Sequence, residues 1–387
     1  MRKIKYVSLS IFDLYMLVIC LFPIFTVLSN EGIMNKLLFG MLVLLHACLI
    51  FYCRFTMRSL CEILLMLVLY AITLTQTTFP VSNINLLFYY PFCILYLMLW
   101  NDNMERFQSW FRNHEIFITG IIVVWTIGVG VSVLLPSSYY IKEGGALYFG
   151  SFCGDIFRLG PSCFFIQVLV LILMSYFKRR KAIFFMILPM YSYLMGSSRA
   201  YLVIGTFLFV LAWYWFGVSR KVFFATIIPM AALGGYLLMR SAMMEKILYT
   251  LNENRYGDFW FRISSSRNVI WSGILDEYAQ RPVLGKLFGN GIDFSMKTVG
   301  LWSHNDFIEI ATSFGFVGMM QYIITMVRTI KKYEPARKTV PLMVKGLVIW
   351  AWLFNAVFNM HYIYFCCSLS FPFLILAVRN YYTKESG

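Results

Sequence analysis

The chain has 387 residues, of which 60% are hydrophobic, 19% aromatic and only 13% charged, and its mean hydropathy is +0.71. A soluble domain carries about a quarter charged residues, so this composition excludes a water-soluble globular protein and makes lipid the solvent. The net charge of +15 does not indicate nucleic acid, because the basic residues stand in short clusters between apolar runs, the pattern of a membrane protein.

The N-terminal Met1-Arg2-Lys3-Ile4-Lys5 is basic and leads into an apolar run with no small-residue cleavage site. That run reads as a first span rather than a removed signal. Apolar runs recur near 11–29, 36–53, 60–78, 84–100, 116–135, 161–177, 182–197, 200–218, 222–239, 304–327, 341–358 and 362–378. Each approaches the roughly 20 residues that a helix needs to cross a bilayer. The expectation is an all-α polytopic membrane protein, one membrane domain over residues 1–387 with about twelve transmembrane helices. Placing the N-terminus in the cytoplasm puts twenty Lys and Arg residues in the segments on that side. The short segments on the other side hold only Lys36, Lys142, Arg158 and Arg199. This imbalance predicts that both termini are cytoplasmic.

Two outer segments stand out. Residues 136–160 contain Gly144-Gly145 and Asp155. Residues 240–303, between spans nine and ten, form the hydrophilic stretch long enough to be a small folded element. Within it, Ser266 is a plausible N-cap, 267–280 reads as a helix, and Pro282 stops it. Ile270, Trp271, Ile274, Leu275 and Tyr278 give that helix one apolar face, suited to the membrane surface or to packing on the bundle. Nine cysteines are present. Most read as small buried hydrophobes, while Cys153 and Cys163 flank an outer segment and could pair in an oxidising compartment. No CxxC or Cys/His pattern occurs, so neither metal nor cofactor is expected.

Ser303-His304-Asn305-Asp306 has the S-x-x-D form of a capping box and precedes an apolar run. This reading puts His304 in the first helical turn, where the helix dipole disfavours a protonated imidazole. A neutral histidine there can serve as a general base. Asp306 and Glu309 follow on the same helix, where acidic groups usually face a cavity or a partner. The alternative is that His304 and Asp306 only cap and anchor the helix. Arg199, in Gly196-Ser197-Ser198-Arg199, is pinned between two spans at the outer face. It either binds an anion through its two-pronged guanidinium or snorkels to lipid headgroups. Arg267 suits the same anion, and Arg240, Arg255, Arg262 and Arg281 are less sharply placed candidates for attracting an anionic substrate. Gly289-Asn290-Gly291 reads as a turn and not a nucleotide loop. His46 and His114 read as structural, and His361, in the last outer loop, is a reserve candidate for the site.

Taken together, Ser266-Arg267-x-x-x-Trp271, Arg281-Pro282-Val283-Leu284-Gly285, Gly289-Asn290-Gly291-Ile292-Asp293-Phe294 and Ser303-His304-Asn305-Asp306-Phe307-Ile308-Glu309, with Gly315 and Gly318, resemble the O-antigen polymerase and O-antigen ligase superfamily. The Gly-Ser-Ser-Arg at 196–199 resembles that family's arginine motif. The resemblance implies a GT-C-like membrane glycosyltransferase of the bacterial inner membrane that uses no metal and no nucleotide sugar. Its donor is a glycan on undecaprenyl diphosphate, taken at the periplasmic face. His304 would then be the base, Arg199 and Arg267 would hold the diphosphate, and the 240–303 loop would be periplasmic. A polymerase passes the chain to another lipid-linked unit, whereas a ligase passes it to lipid A core. Ser303 and Asn305 stand where ligases often carry further basic or histidine residues, which favours polymerase. Expected partners are the lipid-linked oligosaccharide and membrane lipid, with a chain-length regulator as a further candidate and no nucleic acid. A lipid-linked oligosaccharide flippase or other transporter is the rival class, but transporters usually show repeated halves and polar midplane helices, which this sequence lacks.

Overall fold

The computed structural model describes residues 10–28, 32–81, 84–141, 147–196, 198–217, 219–239, 241, 244, 248, 267–333 and 340–384. Helices form over every apolar run: α1 (Ile11–Leu28), α2 (Gly32–Tyr52), α3 (Met57–Gln76), α4 (Leu86–Asn113), α5 (Glu115–Val133), α6 (Ile156–Phe177), α7 (Ile187–Met195), α8 (Arg199–Trp215) and α9 (Arg220–Met239). The segment after α9 contributes α10 (Arg267–Gln280), α11 (Val283–Phe288) and α12 (Phe294–Val299), and α13 (Asp306–Ile330), α14 (Leu342–Phe358) and α15 (Phe365–Lys384) complete the chain. Among the described residues, five helices are long and apolar enough to cross a membrane: α1, α3, α5, α6 and α13. The protein is therefore a membrane protein of the all-α class, predominantly helical. α6 lies at its centre, with nearly every residue from Leu159 to Tyr176 buried, and packs closely against α15.

Four local outcomes depart from the sequence reading. The 182–197 run is split between a short 3-10 segment, Arg180–Met186, and the nine residues of α7. Nine α-helical residues rise only about 14 Å, half of the hydrocarbon thickness. α4 continues thirteen residues past its apolar run, bending at Asn103 (φ −123°, ψ 26°), whose side-chain amide donates to the Leu99 carbonyl at 3.0 Å. Arg106 and Arg112 thus lie on helix rather than loop. A two-stranded hairpin, β1 (Tyr139–Ile141) against β2 (Leu147–Phe149), also stands in the 136–160 segment. Cys153 and Cys163 do not pair, since all nine cysteines are free thiols.

Charges concentrate at the helix ends away from the hairpin. Arg328, near the C-terminus of α13, meets Asp102 at 2.8 Å and Glu62 at 3.5 Å. Arg58 meets Glu62 at 2.9 Å, and Arg179 meets Glu115 at 2.5 Å. The opposite end holds the N-terminus of α13, the hairpin, α10 and the loop before α15. The segment from α11 to α12 is threaded closely between α3 and α13. Gly289 (φ +108°) and Gly315 (φ +76°) permit this, because a Cβ on Gly289 would collide with the Ser313 carbonyl and one on Gly315 with the Leu287 carbonyl. Both glycines combine a backbone conformation rare for other residues with a missing side chain, and Gly315 breaks α13 into two pieces across a kink.

Candidate active site

The site begins with the loop that enters α13. Asn305, in extended conformation, is the N-cap: its side-chain oxygen accepts from the amides of Phe307 at 2.9 Å and Ile308 at 3.1 Å. Ser303 is therefore not the cap. Its hydroxyl goes instead to buried Glu309, at 2.7 Å, and that carboxylate also accepts from the Ser295 hydroxyl at 2.9 Å and the Ser303 amide at 3.3 Å. Moving the cap two residues on leaves His304 outside the helix, in a left-handed conformation (φ +52°). Such a conformation costs on the order of 1 kcal/mol, and the bonds on Ser303 and Asn305 hold it. Asp306 is likewise turned inward, accepting from the Tyr322 hydroxyl at 2.6 Å and the Tyr362 amide at 3.4 Å. Asp306 and Glu309, 0% and 1% exposed, thus bind protein groups rather than an open cavity.

α10 spans the residues expected of it. Its buried side runs through Ile274, with Arg267, Ile270, Trp271 and Tyr278 half-buried, whereas Leu275 faces outward. The helix packs on α12 and α13. The Trp271 indole donates to the Ser303 carbonyl at 2.6 Å, clamping α10 to the residue before His304. Arg267 lies one turn before Trp271 and therefore on the same face. Its guanidinium sits over the Phe358 ring at 5.9 Å and, among the described residues, has no carboxylate partner.

Electrostatics link this arginine to both other expected residues. His304 is held down to about 4, first by burial and next by the positive charge of Arg267. Arg267 itself is lowered, first by burial and next by the charge of Arg199. Arg267 thus lies within electrostatic reach of both Arg199 and His304, residues far apart in the chain. Arg199 opens α8 directly after Ser198, within electrostatic reach of Tyr148 on β2. Gly196 makes this juncture possible, since a Cβ there would stand 3.1 Å from the Phe149 carbonyl and 2.8 Å from that of Ser192. No family model and no curated protein matches the chain.

The unprotonated imidazole is thus a consequence of burial and a cationic neighbour more than of helix position. Neither of its ring nitrogens has a hydrogen-bond partner among the described residues, and the ring stacks on Phe157 at 6.3 Å and 19°. An acceptor with a free lone pair beside fixed guanidinium groups can take a proton from a hydroxyl while an anion forms alongside. Phe157, Tyr148, Phe358 and Tyr364 belong to this neighbourhood but carried no sequence signal of their own. The Tyr364 hydroxyl is raised by burial first and then by Asp155, with Arg267 opposing.

Other expected residues fall elsewhere. Arg281 is paired with Glu277 at 2.6 Å and lies over Phe294 at 5.3 Å. His361 is 1% exposed, edge-on to Phe371 at 5.4 Å, and burial pushes it down to about 3; it is a core side chain. His46 accepts or donates at Tyr15, 2.8 Å away, and His114 stacks on Trp110. Arg240, Arg255, Arg262 and the Ser266 cap lie outside the described residues. Among the described residues, no three His, Cys, Asp or Glu side chains gather in a way that could hold a metal ion. A cavity of about 440 Å³ adjoins the site, sharing Phe157 and Tyr364 as wall.

Proposed function

We propose that the chain is a membrane glycosyltransferase that polymerises undecaprenyl-diphosphate-linked saccharide units, of the O-antigen polymerase type, at the periplasmic face of the bacterial inner membrane. In this reading twelve helical passes in a GT-C-like arrangement leave both termini in the cytoplasm, and the hairpin end of the bundle faces the periplasm. The observation that carries the reading is Arg267: a half-buried guanidinium with no carboxylate among its described neighbours, placed between the charge of Arg199 and an uncharged histidine. Like charges brought together under partial burial are unfavourable unless an anion joins them.

The acceptor hydroxyl passes its proton to a ring nitrogen of His304 as its oxygen attacks the anomeric carbon of the donor sugar. The bond from that carbon to the phosphate oxygen breaks, and the electron pair leaves with undecaprenyl diphosphate. Arg199 and Arg267 stabilise the charge that develops there. His304 later releases the proton to water.

His304→Ala should abolish chain extension while the protein still accumulates in the membrane. Long-chain glycan persisting in that variant would remove His304 from the chemistry. Lipopolysaccharide from a strain without this chain should show core bearing one repeat unit. Bare core with accumulated lipid-linked polymer would instead identify a ligase, and accumulation of lipid-linked units in the cytoplasmic leaflet would identify a flippase.

A further inference from the structure

The cavity beside His304 carries a second pair of cations, separate from Arg199 and Arg267. Lys36 stands near the start of α2 and Arg158 in the first turn of α6. The N-termini of two long helices bring their partial positive charge to the same place. Lys36 has no carboxylate partner among the described residues. Arg158 is ion-paired with Asp155 at 3.6 Å through one carboxylate oxygen, while the other accepts from the Phe157 amide at 2.8 Å, and both side chains of the pair remain about one-third exposed, so an incoming phosphate can share the guanidinium. Between the cations the walls are aromatic, with Phe39, Tyr89, Phe157 and Tyr364 among them. The volume of about 440 Å³ falls within the roughly 300–1,000 Å³ of small-molecule sites. An anion with an apolar tail meets these requirements, whereas a purely apolar ligand leaves the cations unused.

The cavity's location says which anion. Phe157 is both cavity wall and the ring on which His304 stacks. Tyr364 is both cavity wall and an electrostatic neighbour of Arg267. His304 itself does not line the cavity: the Phe157 ring stands between them, so the phosphate end of a ligand here lies one ring away from the base, and its saccharide must pass the edge of Phe157 to reach it. We propose that the cavity holds the phosphate end of a second lipid-linked saccharide, the acceptor, with Lys36 and Arg158 on its phosphates and the aromatic rings against its first isoprenyl carbons. This inference rests on the transfer proposed above, in which donor and acceptor are both polyprenyl diphosphates and two diphosphate sites are needed.

The test counts undecaprenyl diphosphate molecules bound per full-length chain in phosphatidylcholine nanodiscs, by native mass spectrometry and calorimetric titration. Two are expected. Lys36→Ala/Arg158→Ala should leave one, with at least tenfold weaker binding at the lost site, and the retained site shows that this variant is folded. Arg199→Ala/Arg267→Ala should leave the complementary one. A single molecule bound by the unaltered chain, lost only in Arg199→Ala/Arg267→Ala, would overturn the acceptor site and leave the transfer reaction standing. Two molecules, or none, bound by Lys36→Ala/Arg158→Ala would also overturn it. Absence of binding to the unaltered chain would overturn both proposals. Nanodiscs containing phosphatidylglycerol supply a competing anionic headgroup. Equal displacement by that lipid at the Lys36/Arg158 site would make it a bulk-lipid site and not an acceptor site.

Discussion

His304 shows how little of a side chain's environment a motif specifies. The imidazole is uncharged because it is half-buried beside Arg267, and both causes push its pKa in the same direction, to about 4. If it acts as a base, activity requires the neutral form, so the rate falls only as pH drops through about 4, not through the ordinary histidine value of about 6.5. A profile of kcat/KM against pH with its acid limb near 6.5 would contradict this environment. Replacing Arg267 by alanine removes charge from both neighbours. We expect kcat to fall by about 10²–10³-fold, the usual cost of losing one stabilising donor, and the histidine pKa to rise. Arg267→Lys should recover little, because a single ammonium cannot present two parallel donors. Steady-state kinetics on the two variants, with NMR titration of the imidazole, measures each expectation.

Among the elements, the first turn of α13 and the break at Gly315 set the geometry. Gly315→Ala would place a Cβ against the Leu287 carbonyl at a φ of +76°. The two penalties together predict a loss of about 2 kcal/mol or more, seen as a lower unfolding midpoint in detergent; an unchanged midpoint would show that the break is not needed. Much at this level was legible in the sequence. The helix over Arg267–Gln280 stops before Pro282 as expected, because its apolar spacing and that proline act locally. The cap before α13 was misplaced, because Ser303 and Asn305 are both competent caps and the choice is made by Glu309, which draws the serine away. The hairpin was legible in principle, since Tyr139-Tyr140-Ile141 and Leu147-Tyr148-Phe149 are β-favouring triplets flanking Gly144-Gly145. Phe157 and Tyr364 were not legible, because only the assembled bundle brings them beside His304 and Arg267.

Across the whole molecule, Arg58, Arg179 and Arg328 at one end meet carboxylates, while Arg267 at the other end meets none among the described residues. The proposed orientation makes a direct demand. A phosphatase reporter inserted within residues 240–265 should be active, and one fused after Gly387 should be inactive. The reverse pattern would put the site in the cytoplasm and end the proposed chemistry.

The inward-facing Asp306 has a consequence for biogenesis. Its carboxylate accepts from Tyr322 on its own helix and from the Tyr362 amide, which the ribosome adds 56 residues later. While α14 and α15 are still being made, one lone pair of that group has no amide to meet, and the loop carrying Tyr364 does not yet exist. The surroundings of Arg267 and His304 are therefore complete only once Phe358, Tyr362 and Tyr364 have been made, well after α13 itself.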